Sequence, residues 1–137
     1  MKLEILGQPV GKGRPKFSRY GTYTPQKTKD YEEYVKQCYK NKYNIKQRPT
    51  EKPLKAKITA FFEVPTSYSN KKKKELIGQP HAKRPDIDNF VKIIFDSLNG
   101  LAYKDDNQIS KLEVKKLYGE QAKVIVELTE ISENNID

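Results

Sequence analysis

The segment 54–64, LKAKITAFFEV, lies between Pro53 and Pro65 and alternates apolar with other residues along its length. Period-two alternation is the signature of a strand with one face inward, and the prolines bound it at both ends. It reads as the central strand of a sheet, so the rest of the chain must supply neighbours on both its edges. Residues 2–8 alternate in the same way and predict a short first strand. Two more strands are predicted over 109–117 and 122–130, with Tyr118-Gly119-Glu120-Gln121 as the turn. Residues 9–25 hold Pro9, Gly11, Gly13, Pro15, Gly21 and Pro25, which mark a loop or a loose hairpin.

Helices account for the remainder. One is predicted from Pro25 to about Tyr43, capped by Thr24, with Tyr31, Tyr34, Val35, Cys38 and Tyr39 at helical spacing. A short basic helix covers KKKKELI, capped by Ser69 or Asn70. The clearest helix opens at Pro85-Asp86 and closes at Asn99-Gly100. Ile87, Phe90, Val91, Ile94 and Leu98 form its apolar stripe, while Asp88, Lys92 and Asp96 step by four along a polar face. The order predicts an α+β fold, a small mixed sheet with helices packed on it. The 137 residues fit one domain, 1–131, followed by a frayed tail over 132–137. Cys38 is the single cysteine, which excludes an intrachain disulfide and a cysteine-based zinc site. With no long apolar run and no signal-like start, a cytoplasmic setting without membrane contact is expected.

The net charge of +9 is unevenly distributed. Residues 12–48 carry eleven Lys or Arg and three acids, and residues 71–84 carry six and one. Residues 85–106 reverse the sign, with five Asp against Lys92 and Lys104. Two basic tracts point to a polyanion such as nucleic acid. The acidic interval points to a cation. Asp86 and Asp88 start a helix, and Asp105-Asp106 follow its exit. Carboxylates with open positions suit Mg²⁺, which prefers oxygen donors and keeps several waters. Taken alone, each pair is more often structural, with Asp86 as a helix cap and Asp105-Asp106 as a plain turn. Four close carboxylates in a basic chain would repel unless a cation neutralised them. Asp96 is expected to pair with Lys92 at i,i+4. His81, the one histidine, lies in a basic loop and reads as a surface group.

The strings RPDIDNFVK (84–92), DSLNG (96–100) and YKDDNQI (103–109) resemble the RusA-type Holliday junction resolvases, as three spaced motifs in the family's order. GKGRPKF (11–17) and Tyr23-Thr24-Pro25 are similar to its phage and prophage branch. The resemblance covers about residues 3–130. It implies a homodimer of small subunits that binds four-way DNA junctions and nicks opposing strands using Mg²⁺, for which Mn²⁺ can substitute. It places the family's essential aspartates on Asp86, Asp88 and Asp106 and its functional lysine on Lys92. Many members carry Trp before the paired aspartates, where this chain has Tyr103 and no Trp at all.

On this reading Asp86, Asp88 and Asp106 hold the metal, with Asp105 as a further ligand or an orienting group. Lys92, one turn beyond Asp88, stabilises charge on the phosphate. Lys12, Arg14, Lys16 and Arg19 wrap one stretch of backbone. Lys71, Lys72, Lys73, Lys74, Lys83 and Arg84 contact another duplex arm. Expected roles are recombination and repair. Two readings from other classes compete: a non-catalytic basic DNA-binding module, and a metal-dependent phosphohydrolase acting on small phosphates.

Overall fold

The computed structural model describes residues 1–43 and 48–132. Its elements run β1 (Lys2–Leu6), β2 (Lys16–Ser18), β3 (Gly21–Tyr23), α1 (Gln26–Lys42), β4 (Leu54–Glu63), α2 (Asn70–Leu76), α3 (Ile87–Leu98), a 3₁₀ turn (Asp106–Gln108), β5 (Ile109–Gly119) and β6 (Lys123–Glu130). The fold is α+β with a mixed sheet, as the order of periodic segments implies. Apart from Ser132, the predicted tail lies outside the described residues. Contacts divide the chain into two compact units. One is built from Val10–Glu51 and Pro85–Gln108, the other from Met1–Pro9, Lys52–Arg84 and the chain from Ile109 onward.

In the first of these units α1 packs against α3. Thr28, Tyr31 and Val35 of α1 are buried, as are Phe90, Val91, Ile93, Ile94, Ser97 and Leu98 of α3. The α3 stripe departs from prediction at one end: Ile87 is 47% exposed. It is the first helical residue, a position at the rim rather than over the packed turns. The α1 start also differs. Pro25 rather than Thr24 occupies the N-cap position, with no side-chain hydrogen bond. The ring fixes φ near −55° there, so the chain enters the helix without a hydroxyl cap. The segment 9–25 contains a true hairpin, β2 paired antiparallel with β3, with Lys16 opposite Tyr23 and Phe17 opposite Thr22.

The other unit is the four-stranded sheet, in the order β1-β6-β4-β5. β4 is central, as its alternation predicts: Leu54, Ala56, Ile58, Ala60 and Phe62 are buried in strict succession. Register continues this face across the sheet, with Ile58 beside Val126 and Val126 beside Leu3. The chain from β5 to β6 does not make the simple turn over 118–121. β5 runs on through Tyr118 and Gly119 parallel to β4, and β6 lies antiparallel on β4's other edge. Four chain steps from Gly119 to Lys123 reach about 13 Å, enough to cross the roughly 10 Å occupied by one intervening strand.

His81 is not a surface group. Its ring stacks on Phe62 at 3.8 Å and 6°, and Tyr118 meets it edge-on at 5.0 Å. Its Nδ1 is buried with no hydrogen-bond partner. Burial lowers its pKa from 6.5, and the charges of Lys116 and Lys83 add to the effect. The unfolded chain therefore takes up the proton first, so this site's contribution is whole above about pH 6.5 and is lost as pH falls. Between pH 7.5 and 5.5, His81→Phe is expected to lose about 1–3 °C less in melting midpoint than the wild type. Parallel losses in the two proteins would contradict this account of His81.

Candidate active site

Lys12 ties three segments of the helical unit together. Its backbone N–H donates to the Asn89 carbonyl of α3 at 3.0 Å. Its ammonium donates to Asp96 Oδ2 at 2.5 Å and lies 3.6 Å from Glu32 Oε1 of α1. Burial works against the charged form, but the hydrogen bond and charge of Asp96, with Glu32 behind them, raise the pKa overall. The neighbouring Gly11 has a steric reason: a Cβ there would stand 2.8 Å from the Pro85 Cβ. The expected Lys92–Asp96 pair is therefore replaced by Lys12–Asp96. An exposed i,i+4 pair is worth only a few tenths of a kcal/mol. Lys12 is already fixed to α3 through its backbone, so less freedom is lost in making its ion pair.

At the start of α3, Asp86 occupies the N-cap position with φ −64° and ψ 147°. Its carbonyl accepts from Phe90 N at 3.1 Å, yet its carboxylate makes no capping hydrogen bond. Capping thus accounts for the backbone of Asp86 and leaves its charge unexplained. Asp88 lies in the first turn and is exposed. Lys92, also exposed, follows one turn later.

The far end of α3 is joined to the paired aspartates by a compact set of bonds. Gly100, at φ +78°, turns the chain back in a conformation that disfavours a side chain. Its N–H donates to the Tyr103 carbonyl at 2.8 Å. Tyr103 is fully buried, packs edge-on to Phe95 and donates its hydroxyl proton to the Phe95 carbonyl at 2.7 Å. It anchors the loop to the helix and presents no face for stacking. Asn99 Oδ1 accepts from the Asp106 N–H at 2.9 Å. Gln108 accepts from the Asp105 N–H at 2.8 Å and donates to the Thr50 carbonyl at 2.8 Å. Asp105 itself accepts from the Asn107 N–H at 2.9 Å, which is turn work.

Asp106 is half-buried. Its pKa is raised first by burial, then by the hydrogen bond with Asp105 and the charges of Asp105 and Asp96, with Lys92 pulling the other way. Tyr103 feels the same field: burial raises its pKa, helped by Asp106, Asp96 and Asp105. The charges of Asp105, Asp96 and Lys92 thus all act on Asp106. Asp86 and Asp88 sit at the other end of α3, where a helix rise of 1.5 Å per residue separates Asp88 from Asp96 by about 12 Å. Among the described residues no three His, Cys, Asp or Glu side chains stand together as a ready metal site. The donors themselves are carboxylate oxygens, the chemistry that suits a hard divalent cation.

Arg14, Lys16 and Arg19 are exposed on or beside the β2–β3 hairpin. Lys71–Lys74 lie on α2, which buries no residue and is capped by Ser69 Oγ accepting from Lys72 N at 3.2 Å. Lys72 sits 4.3 Å over the Tyr68 ring. Lys83 and Arg84 are exposed just before α3. Among the described residues no helix is long and apolar enough to cross a membrane.

Residues 7–129 match the family described as Endodeoxyribonuclease RusA. The chain belongs to the RusA family. The uncharacterized protein YqaN of Bacillus subtilis (strain 168) is 35% identical over 140 residues, covering 96% of this chain and 97% of that one. A crossover junction endodeoxyribonuclease rusA of Lactococcus phage r1t is 36% identical over 80 residues, 58% of this chain and 56% of the phage protein. The RusA match runs through both compact units. Sequence reasoning gave Asn99, Tyr103 and Gln108 no positioning role in this RusA-family chain. The signal was present in the Asn-Gly helix exit and in a Gln three residues after Asp105, a spacing that lets a side chain close on a backbone N–H.

Lys12→Met is expected to lower the unfolding free energy by about 1–3 kcal/mol, because it strands two partly buried carboxylates. The Lys104–Glu51 pair, 3.0 Å long but exposed on both sides, is a control. Lys104→Met should change stability by less than about 0.5 kcal/mol. Urea unfolding of the two variants checks the contrast, and equal losses would contradict it.

Proposed function

We propose that this RusA-family enzyme is a Mg²⁺-dependent endonuclease that resolves four-way DNA junctions by paired phosphodiester hydrolysis, acting in recombination and repair in the cytoplasm. Residues 1–131 work as one nuclease domain. The observation that carries the reading is the return of Asp105-Asp106 onto the exit of α3, held by the Asp106 N–H to Asn99 bond, inside a family match that spans nearly the whole chain. The phage relative named a crossover junction endodeoxyribonuclease supports the choice of substrate.

Asp86, Asp88 and Asp106 would hold Mg²⁺, or Mn²⁺ in its place, with Asp105 as a further ligand or as the group that orients Asp106. When bound, the ion polarises the scissile phosphate and favours deprotonation of the attacking water. The protein's own groups do the rest. Lys92 directs an ammonium at the phosphate and stabilises the charge that develops there. The N-terminal end of α3 adds positive potential beside Asp86 and Asp88. Lys12 neutralises Asp96, so the negative charge left beside Lys92 is concentrated on the paired aspartates. Arg14, Lys16 and Arg19, and separately Lys71–Lys74, Lys83 and Arg84, contact phosphates, which makes binding steeply salt-dependent and tolerant of sequence. A homodimer supplies the second incision, since a four-way junction is two-fold symmetric and each chain carries one set of aspartates.

Asp88→Asn is the direct test. With Mg²⁺ present, junction cleavage should fall by about 100-fold or more while junction binding is kept or strengthened. Undiminished cleavage would overturn the metal assignment. Equal nicking of linear duplex and junction by the wild type would overturn junction resolution, and faster hydrolysis of mononucleotides than of DNA would favour a small-phosphate hydrolase.

A further inference from the structure

The β2–β3 hairpin contributes nothing to a core. Every residue from Lys16 to Tyr23 is exposed, and three of the eight are aromatic. Phe17 is 85% exposed, Tyr20 87% and Tyr23 49%. Single exposed apolar residues are ordinary in proteins. Three rings on one short ribbon, with no packing role, call for another explanation.

The ribbon is built to hold its shape. Ser18 Oγ donates to the Gly21 carbonyl at 3.1 Å and accepts from the Tyr20 N–H at 3.2 Å, closing the Arg19-Tyr20 turn on itself. The Arg19 guanidinium lies 5.1 Å from the centre of the Tyr20 ring, which orients that ring at the tip. Opposite residues of an antiparallel pair share a face, so Lys16 and Tyr23 lie on one side and Phe17 and Thr22 on the other. The root of the hairpin is fastened to the first turn of α3 by the Lys12 N–H to Asn89 bond. Gly13, between root and hairpin, is bonded from its N–H to Thr28 Oγ1 at 3.0 Å. Phe17 is five residues from Lys12, so it stays within about 18 Å of the helix turn that carries Asp88.

Charge decides the partner. Beyond Lys12, which is paired with Asp96 and Glu32, the stretch from Arg14 to Lys29 carries five Lys or Arg and no acidic residue. A ribbon that pairs exposed flat rings with unopposed cations complements an anionic chain of flat rings. Aromatic side chains stack on bases whatever their sequence, and cations hold the adjoining phosphates. Paired bases inside a linear duplex present no free face, whereas bases at a branch point have lost a stacking neighbour.

We propose that the hairpin Lys16–Tyr23 recognises the branch itself, stacking Phe17 and Tyr20 on bases at the crossover while Arg14, Lys16 and Arg19 hold the flanking phosphates. This rests on the junction-cutting reading and adds to it the element that distinguishes a junction from a duplex.

The test uses a four-way junction carrying 2-aminopurine at the crossover and a linear duplex of matched length, with Ca²⁺ replacing Mg²⁺. Phe17→Ala and Tyr20→Ala should each reduce the ratio of junction to duplex affinity about tenfold. Both should also reduce the change in 2-aminopurine fluorescence on binding. Phe17→Trp should preserve the ratio and Phe17→Leu should not, because stacking needs a ring rather than apolar bulk. A double alanine variant that keeps the wild-type ratio and fluorescence overturns the hairpin assignment and leaves junction cutting intact. So does a variant whose only change is in the monomer–dimer balance by sedimentation, or in binding to phosphatidylglycerol vesicles. A wild type with no preference for the junction overturns both readings together.

Discussion

The ammonium of Lys12 is the point on which the helical unit turns. It sits between a carboxylate of α1 and one of α3, while its own backbone is bonded to α3. An ion pair in this position does more than a surface pair, because its members are already held by packing and by main-chain bonds. It bridges the two helices, tethers the segment that leads into the hairpin, and offsets one negative charge near the paired aspartates. Those consequences follow from a lysine that composition alone would count among groups facing DNA.

With Asp96 satisfied, the strain of the site lies in the paired aspartates. Asp106 is held by its N–H on Asn99, and the loop carrying it is pinned by Tyr103 from beneath and by Gln108 from the side. None of these bonds relieves the charge of its carboxylate. Burial and two neighbouring carboxylates favour a retained proton, and Lys92 offsets this only in part. The loop is thus firmly built while its acids are only partly compensated, an imbalance that the proposed Mg²⁺ would relieve. The hairpin shows the complementary imbalance, with cations and rings that have no partner within their own chain's core.

Much of this was legible in the residues. Strict alternation made β4 central, and the stripe of Phe90, Val91, Ile94 and Leu98 fixed the buried side of α3, because burial there is continuous and periodicity reports it. The three motifs around Asp86, Asp96 and Asp106 carried the family. What periodicity cannot report is pairing across the chain. β5 and β6 looked like a hairpin, since local sequence says nothing of a strand already lying between them. Asp96 looked bound to Lys92, since the rival partner stood 84 residues away. His81 looked exposed because Phe62 and Tyr118 come from distant strands. Tyr103 stands where many family members have Trp, and its burial was not legible because it depends on closure of the Gly100 turn.

The central claim is that Asp86 and Asp88 at one end of α3 and Asp106 near the other hold the proposed Mg²⁺, one ion or two, although the polypeptide alone does not gather them into one cluster. Paramagnetic broadening of backbone amide signals by Mn²⁺, at well under one equivalent and with the protein in excess, tests it most directly. The account predicts that the amides of Asp88 and Asp106 both broaden at these low Mn²⁺ levels, and that Asp106→Asn weakens the effect around Asp106. Broadening confined to one end of the helix, or spread evenly over exposed acids such as Glu51 and Glu130, would contradict it.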